Sequence, residues 1–265
     1  MTPLPFFQVD AFASGPFTGN PAAVMPLAEW LPDAVMQAIA AENNLSETAF
    51  TVPSAGDVDF DLRWFTPTVE VDLCGHASLA AGHILLRGKE VRFATRSGIL
   101  TVTRDNDLLR LDLPAHRVEA GVEPGLLDAL GLPDGTPTYL GRDGNGSAIA
   151  LLADEAAVRA VSPDFAALRT IDRLVIVTAP GEKTSVASRV FAAFHGIDED
   201  PVTGAAHAAL VPFWAARLGR RRFTALQASK RGGLIDCEHS PAPIEGDRVI
   251  LGGRCFTVIE GHFQR

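Results

Sequence analysis

The sequence is poor in cysteine, and the three cysteines it has are scattered. Cys74, Cys237 and Cys255 make an odd number and include no CxxC pair. A disulfide framework needs an even, regularly spaced set, and a structural zinc site needs paired ligands, so neither is indicated. We therefore expect a reducing compartment, and the predicted location is the cytoplasm.

The sequence also lacks an excess of positive charge and long apolar runs. The formal net charge is −9, and the only dense basic run, residues 220–222, follows a predicted helix end, where cations are favoured anyway. Nucleic acid is therefore not an expected partner. No stretch reaches the roughly 18 apolar residues of a membrane span, and the first residues lack the basic segment of a signal peptide. We expect a soluble protein that does not bind a membrane.

What the sequence does have is a strand that leads through a polar loop into an apolar helix, within residues 63–88. From His76 onward, small and apolar residues cover most of a helical surface, so the helix is predicted to be buried nearly all round. Gly88 is its predicted end. A buried helix that begins near Gly75 points free backbone N–H groups and its positive dipole end at the loop, which makes an anion site.

The same construction occurs a second time. An apolar run at residues 190–195 leads into an acidic turn at 196–201, and a second apolar helix begins at Gly204 and ends at Gly219. The two entry glycines are 129 residues apart in a chain of 265. This spacing suggests two homologous halves, although two unrelated junctions would produce the same pattern.

Strand signals surround both helices and come in runs. They lie at residues 45–52, 91–94, 98–104, 108–113, 174–177, 223–228, 233–238, 248–252 and 255–259. Because the helices do not alternate with the strands as in a parallel sheet, the pattern predicts an α+β fold built mainly from antiparallel strands. We predict an N-terminal lobe of residues 1–117, which the last strand (256–265) could complete, and a C-terminal lobe of residues 118–255.

Glu47 is the carboxylate that the pattern singles out. In a strand over residues 45–52 it shares a face with Leu45 and Ala49, and neither face is clearly polar. Because lost hydration disfavours the charged form of a carboxyl group, a shielded Glu47 could both donate and accept a proton near neutral pH. A glutamate at the rim of the sheet, or one in a salt bridge, is the alternative.

Three further polar residues lie at the helix entries. Cys74 precedes the first helix, whose dipole favours a thiolate nucleophile or proton acceptor, although a lone cysteine is also a common core residue. His76 could bind an anion or relay a proton, or simply cap the helix. Asp200 precedes a proline, and is either a polar site residue or part of an Asx-type turn. His83 and His207 form no ligand motif with His76, so no metal site is predicted.

Four segments together resemble the PhzF family of phenazine-biosynthesis isomerase-like proteins, which are relatives by fold of diaminopimelate epimerase. They are FFQVDAFASGPFTGNPAAV (residues 6–24), NLSETAF (44–50), RWFTPTVEVDLCGHASLAAGHIL (63–85) and DEDPVTGAAHAAL (198–210). The resemblance spans nearly the whole chain with its motifs in order. It implies two pseudo-symmetric lobes, each a curled, barrel-like antiparallel sheet around a central helix, and an active site between the lobes. It also implies no cofactor, no metal and a homodimer.

The resemblance also implies roles for individual residues. Glu47 corresponds to the general acid/base of the family, and His76 and Asp200 to residues that assist it. The backbone amides of Gly75, His76, Gly204 and Ala205 would hold a substrate carboxylate, as two convergent helix N-termini can. Asn20 and Cys74 are further candidates for substrate binding.

The phenazine enzyme isomerises trans-2,3-dihydro-3-hydroxyanthranilate by a proton shift across the ring. By resemblance, Glu47 would remove the proton from the carbon that bears the hydroxyl and return it elsewhere on the same face. One residue departs from the family motif, because Ala205 stands where the phenazine enzyme has a serine. The backbone donors survive this change, but a hydroxyl donor is lost, so the resemblance does not carry the phenazine substrate itself to this chain.

Two other functions compete with a cofactor-independent isomerase. An amino-acid racemase or epimerase of the diaminopimelate type needs a thiol on each side of the α-carbon, and Cys74 could be one of them. The second helix entry offers Pro201 or Thr203 instead of a cysteine. A non-catalytic protein that binds a small carboxylate is the alternative outside the enzymes, and the presence of Glu47, His76 and Asp200 together argues against it.

Overall fold

The computed structural model describes residues 3–142, 146–242 and 246–264. The chain forms two compact units. The first contains Met1–Asp112 and Gly252–Arg265, and the second contains Leu113–Leu251. The last strand of the chain therefore belongs with the first unit.

The first unit holds ten strands and helices before its return strand. In order, these are β1 (Leu4–Ala11), β2 (Asn20–Pro26), α1 (Asp33–Asn43), β3 (Glu47–Pro53), β4 (Phe60–Phe65), β5 (Glu70–Val71), α2 (Gly75–Leu85), β6 (Glu90–Thr95), β7 (Gly98–Asp105) and β8 (Leu108–Pro114).

The second unit continues with its own set and ends where the chain returns to the first. Its elements are β9 (Val118–Ala120), α3 (Leu126–Leu130), β10 (Thr138–Gly141), β11 (Ser147–Leu151), α4 (Glu155–Ala160), α5 (Phe165–Leu168), β12 (Leu174–Pro180), β13 (Val186–Ala192), β14 (Ile197–Asp200), α6 (Gly204–Leu218), β15 (Arg222–Gln227), β16 (Gly233–Ser240) and β17 (Arg248–Gly253). The return strand β18 (Cys255–Phe263) pairs antiparallel with β1.

The strands are mainly antiparallel, as predicted, but both units are mixed α/β and also contain parallel pairs that the prediction did not include. In the first unit β2 runs parallel to β3 and β4 parallel to β6, with α1 and α2 in the two crossovers. In the second, β11 runs parallel to β12 and β13 to β15, with helices again in the crossovers. Neighbours such as β1 and β2, or β12 and β13, are antiparallel. Each unit thus contains two parallel strand pairs whose crossovers include helices.

Helix α2 is buried nearly all round, which confirms the prediction from its small and apolar residues. Nine of its residues are buried, and the helix packs against β1, β2, β3 and β7. Its end differs from the prediction. The helix stops at Leu85 and Leu86 is already extended, so Gly88 lies outside the helix and caps nothing. The apolar pattern past Leu85 extended the predicted helix too far.

Helix α6 runs to Leu218 and ends at Gly219, whose φ of 63° is left-handed as predicted for a glycine cap. The residues before it differ from the expected acidic turn, because Ile197–Asp200 form the short strand β14 paired with β13. Over the described ranges, no helix combines the length and the apolarity that crossing a membrane requires.

The absence of a side chain at Gly82 lets α2 lie against β7. A Cβ atom at Gly82 would stand 2.6 Å from a methyl carbon of Val102 and 2.9 Å from its Cβ. Because Val102 is fully buried and held by its strand, neither atom can move away easily. We expect Gly82→Val to lower the free energy of unfolding by about 2 kcal/mol through overpacking, as measured by urea denaturation.

The matched control is Gly88→Val. Gly88 is exposed, and a Cβ there would meet nothing within 4 Å. Its free energy of unfolding should stay within about 0.5 kcal/mol of wild type. Equal losses in the two variants would show that contact with Val102 is not what requires glycine at position 82.

Candidate active site

The parallel pairing of β2 and β3 brings polar residues together at one edge of the sheet in the first unit. Ala22 lies opposite Glu47, so the two strands begin at the same edge. Asn20 is the first residue of β2 and Glu47 the first of β3. Because α2 packs against both strands, His76 in its first turn reaches the same edge.

A chain of contacts links these side chains. The Ser46 hydroxyl donates to Asn20 Oδ1 at 3.2 Å, and Asn20 Nδ2 lies 3.1 Å from His76 Nδ1. On the other side of the ring, His76 Nε2 lies 3.2 Å from Glu47 Oε2. Because the amide N–H donates to Nδ1, a neutral imidazole carries its proton on Nε2, where it faces Glu47.

The ring and the carboxylate are both shielded from water. The side chains of His76 and Glu47 are 4% and 13% exposed. Burial opposes a charge on the imidazole, but the neighbouring Cys74 and Glu47 outweigh it and raise the pKa of His76 above its ordinary value. When Nδ1 is also protonated, the Cys74 sulfur at 3.6 Å is available as its acceptor.

The facing atoms of Glu47 and His76 lack well-directed hydrogen bonds. Among the described residues, neither Glu47 Oε2 nor His76 Nε2 has a hydrogen-bond partner with good geometry, and both atoms are buried. Their 3.2 Å contact is therefore not a well-directed hydrogen bond, and it is an ion pair only when the ring is protonated. Because buried polar atoms are normally satisfied, these two atoms need an explanation that the described residues do not supply.

Cys74 is the N-cap of α2 and is buried against the same cluster. Burial, followed by the nearby charge of Glu47, raises the pKa of its thiol to about 11. His76 and the backbone N–H of Ala77 act in the opposite direction but do not prevail. Desolvation thus outweighs the helix dipole, which favours the alternative that Cys74 is a buried core residue over a thiolate.

Glu47, Cys74 and His76 also form a group that could hold a metal ion. One ligand atom from each lies within 4.8 Å of the others. This group could not be predicted from the sequence, since Glu47 is 27 residues from Cys74 and no ligand motif joins them. His83 is not part of it and lies 3.1 Å from Thr257 Oγ1.

In the second unit, Asp200 lies at the start of α6 in a different environment. Its carboxylate accepts a short hydrogen bond from the hydroxyl of Thr203, the N-cap residue. Gln227 accepts from Thr203 N at 2.9 Å and donates to the carbonyl of Asp200 at 2.7 Å. Buried Gln227 thus connects the residues before α6 to β15, and the Asp200 carboxylate lies within this hydrogen-bond network.

Both helices begin with the same backbone arrangement. The Ser78 hydroxyl donates to the carbonyl of Cys74, and His207 Nδ1 lies 2.8 Å from the carbonyl of Thr203. Each polar side chain thus binds the N-cap carbonyl four residues earlier. The first N–H groups of either helix have no acceptor within the helix. These are the groups of Gly75 and His76 in α2, and of Gly204 and Ala205 in α6.

Sequence reasoning missed Ser46 and Gln227. Ser46 could have been found, because it precedes Glu47 inside the SETAF segment that had already been singled out. Gln227 gives no such signal, since it stands at the end of an ordinary strand and meets Asp200 only through the parallel pairing of β13 and β15.

Comparison with known proteins places these observations in a family. The family model for phenazine biosynthesis-like proteins (PhzC-PhzF) matches residues 9–261. The uncharacterized isomerase PA3578 of Pseudomonas aeruginosa is 48% identical, over 98% of this chain and 98% of its own length. The crystal structure of a PhzF-family phenazine biosynthesis protein from Enterococcus faecalis superposes with a TM-score of 0.89 at 42% identity, over 100% of both chains.

A more distant structure shows how widely the fold is used. The chain described as a predicted epimerase, PA4716 of Pseudomonas aeruginosa, has a TM-score of 0.73 at 23% identity, over 99% of both chains. At this identity the similarity concerns the fold alone. The fold is therefore shared by proteins described as phenazine-biosynthesis-like and as epimerases.

The three thiols should react slowly in the folded protein, where Cys74 and Cys237 are buried and Cys255 is half-buried. Burial raises the pKa of Cys255 to about 12 and of Cys74 to about 11, and raises that of Cys237 further. At neutral pH we expect little reaction of any thiol with Ellman's reagent, and all three should react at once in denaturant. If one thiol of the folded protein reacts fast with Ellman's reagent, and this reaction is absent from Cys74→Ala, then Cys74 is a thiolate.

His207 should make the protein less stable in acid. Burial lowers the pKa of its ring to about 4, whereas the ordinary value is 6.5. Below pH 6.5 the His207 ring is protonated in the unfolded chain but stays neutral in the folded protein, so stability falls as the pH drops from about 6.5 to 4. The full loss is about 3 kcal/mol for this group. Urea denaturation at several pH values measures it.

The variant His207→Gln should flatten that pH dependence, because the titrating group is gone. The control His195→Gln removes an exposed histidine and should leave the dependence as in wild type. An unchanged slope in His207→Gln would show that other groups cause the acid sensitivity.

Proposed function

Because the chain belongs to the phenazine biosynthesis-like (PhzF) family, we propose that it is an isomerase that shifts a proton within a small substrate bearing a carboxylate. Glu47 is the proposed general acid/base. Relatives named isomerases support the reaction class, and the cluster in the first unit supports the residue.

The observation that carries the proposal is the state of the Glu47 carboxylate. Its Oε2 atom is buried, lies 3.2 Å from His76 Nε2 and has no well-directed hydrogen bond from the described residues. A general base needs a free lone pair in a site that excludes water. A glutamate at the rim of a sheet or in a surface salt bridge has neither property.

In the proposed reaction, the ionised carboxylate of Glu47 takes a proton from a substrate carbon. The C–H electron pair moves into the conjugated system of the substrate, and Glu47 becomes a neutral carboxylic acid. It then returns the proton to a second carbon on the same face, which restores the carboxylate. His76 assists by holding Glu47 through the proton on Nε2, and Asn20 keeps the ring in that orientation.

The start of α2 supplies the proposed support for negative charge. The N–H groups of Gly75 and His76 lack acceptors within the helix, and the dipole adds positive potential there. They would bind the substrate carboxylate and stabilise charge that develops during proton removal. By resemblance, the N–H groups of Gly204 and Ala205 also bind substrate, and Asp200 assists the proton transfer.

The substrate class is a small cyclic or amino carboxylate like trans-2,3-dihydro-3-hydroxyanthranilate. Ala205 cannot supply the hydroxyl of the serine in the phenazine enzyme, so the substrate proposed here need not carry the group that this hydroxyl would bind. Two further parts of the proposal, a homodimer and a cytoplasmic location, come from the resemblance and from the three cysteines being free.

An amino-acid racemase is the second candidate, because Cys74 contacts the same cluster and the fold is shared with a chain described as an epimerase. The environment of Cys74 weighs against it. Racemisation by paired thiols needs one thiolate, whereas burial raises the pKa of Cys74 to about 11. The equivalent position before α6 is Thr203, which is not a thiol.

Hydrogen exchange at carbon tests the proposal directly. The protein is incubated in deuterated water with trans-2,3-dihydro-3-hydroxyanthranilate and, separately, with proline and diaminopimelate, and the position of the label is read by NMR. We expect deuterium at a ring carbon of the cyclic acid. Glu47→Gln should slow this exchange by about 100-fold or more, since a general base contributes roughly 10²–10⁴-fold, while thermal stabilisation by the acid remains.

The matched control is Glu42→Gln, which removes the same charge from the exposed end of α1. It should exchange at the wild-type rate. Exchange that survives Glu47→Gln would discard Glu47 as the base. Exchange at the α-carbon of an amino acid that is lost in Cys74→Ala would favour the racemase. Stabilisation by an acid without any exchange would favour a non-catalytic binding protein.

A further inference from the structure

The cluster of Glu47, Cys74 and His76 has a chemical property that proton transfer does not use. It joins a thiol, an imidazole and a carboxylate, which are the three side chains that bind Zn²⁺ in proteins. One ligand atom from each lies within 4.8 Å of the others. We propose that these three residues capture a thiophilic divalent cation, with Zn²⁺ as the expected ion, and that the captured ion blocks the acid/base function of Glu47.

The separation of the donor atoms is close to what zinc requires. For zinc–ligand distances of roughly 2.0–2.3 Å, the donors of a tetrahedral site lie about 3.3–3.6 Å apart. His76 Nε2 and Glu47 Oε2 are already 3.2 Å apart, whereas Cys74 Sγ now lies 3.6 Å from Nδ1, the ring nitrogen that would not bind the ion. Because one ligand atom of each residue lies within 4.8 Å of the others, closing the site requires the Cys74 side chain to turn from Nδ1 toward the ion.

The bonding state of the cluster also favours capture. Glu47 Oε2 and His76 Nε2 are buried and have no well-directed hydrogen bond from the described residues. An ion on Nε2 requires the ring proton to move to Nδ1. The Asn20 amide can accept a hydrogen bond from Nδ1–H if it flips and presents its oxygen to the ring. The flip is possible because the Ser46 hydroxyl, which now donates to Asn20 Oδ1, can instead accept from the amide NH2 group. A group outside the metal ligands thus orients the ring.

The charge balance is favourable as well. Capture breaks the S–H bond of Cys74, forms a sulfur–zinc bond and releases the proton to solvent. Two negative ligands, Glu47 and the Cys74 thiolate, together with neutral His76 then neutralise the two charges of the ion. Three protein ligands leave a fourth position for water. The ion occupies the lone pair that Glu47 needs as a base, so capture and proton transfer exclude each other.

Cobalt(II) is the probe for this site, because a thiolate bound to it gives an absorption band in the near ultraviolet that carboxylate and imidazole alone do not give. We expect the protein without substrate to show this band at one ion per chain, and Zn²⁺ to remove it by competition. Cys74→Ala should abolish the band. Glu47→Gln and His76→Asn should each weaken cobalt binding at least tenfold.

Cys237→Ala is the matched control, since it also removes a fully buried thiol and should keep the band. Circular dichroism confirms that each variant is folded, and if Cys74→Ala is not, Glu47→Gln and His76→Asn carry the test. A band that survives in Cys74→Ala, equal cobalt affinity in wild type and Glu47→Gln, or no band in wild type would overturn the proposal.

These measurements need no substrate, so they separate the metal site from the isomerase proposal. Cobalt binding that depends on Cys74, together with carbon exchange that survives Glu47→Gln, would leave the metal site standing and discard the base. Loss of exchange in Glu47→Gln without any cobalt band would do the reverse. Where both hold, Zn²⁺ should inhibit exchange and a chelator should restore it.

Discussion

The contact between Asn20 and His76 fixes the chemistry of the first unit. Because the amide occupies Nδ1, the proton of a neutral ring lies on Nε2, 3.2 Å from the Glu47 carboxylate. That contact exists only because β2 and β3 run parallel and begin at one edge, where α2 also begins. The parallel direction of β2 and β3 therefore brings the Glu47 carboxylate next to the His76 ring.

Competing electrostatic effects at Cys74 show that burial outweighs the helix dipole at this residue. A helix N-terminus stabilises a negative charge by about 0.3–1 kcal/mol at an exposed position. The rise of the thiol pKa from 9.0 to about 11 corresponds to about 3 kcal/mol in favour of the neutral form. Burial is the larger effect. The same burial shields Glu47 and His76 from most of the solvent, so water screens the electrostatic interaction between them only weakly.

Much of this arrangement follows from the sequence, and the part that does not has a physical reason. Small residues around α2 and α6 predicted two buried helices, and the segments around Glu47 and His76 singled out two side chains that the structure brings within 3.2 Å of each other. The period of a strand shows which faces are buried, but carries no information about the direction of its neighbour. The parallel pairs, and with them the contact of Gln227 with Asp200, were therefore out of reach, whereas Ser46 stands next to Glu47 in a segment that the sequence does single out.

The N-termini of α2 and α6 have the same backbone arrangement, but the hydrogen bonds of their side chains differ. At α6 the carboxylate of Asp200 accepts from the Thr203 hydroxyl, and Gln227 accepts from the Thr203 N–H, while buried His207 Nε2 has no hydrogen-bond partner among the described residues. At α2 the buried atoms Glu47 Oε2 and His76 Nε2 also have none, and they face each other at 3.2 Å. In the proposed reaction, the carboxylate that is already hydrogen-bonded at α6 therefore has the assisting role, and the Glu47 carboxylate is the general base.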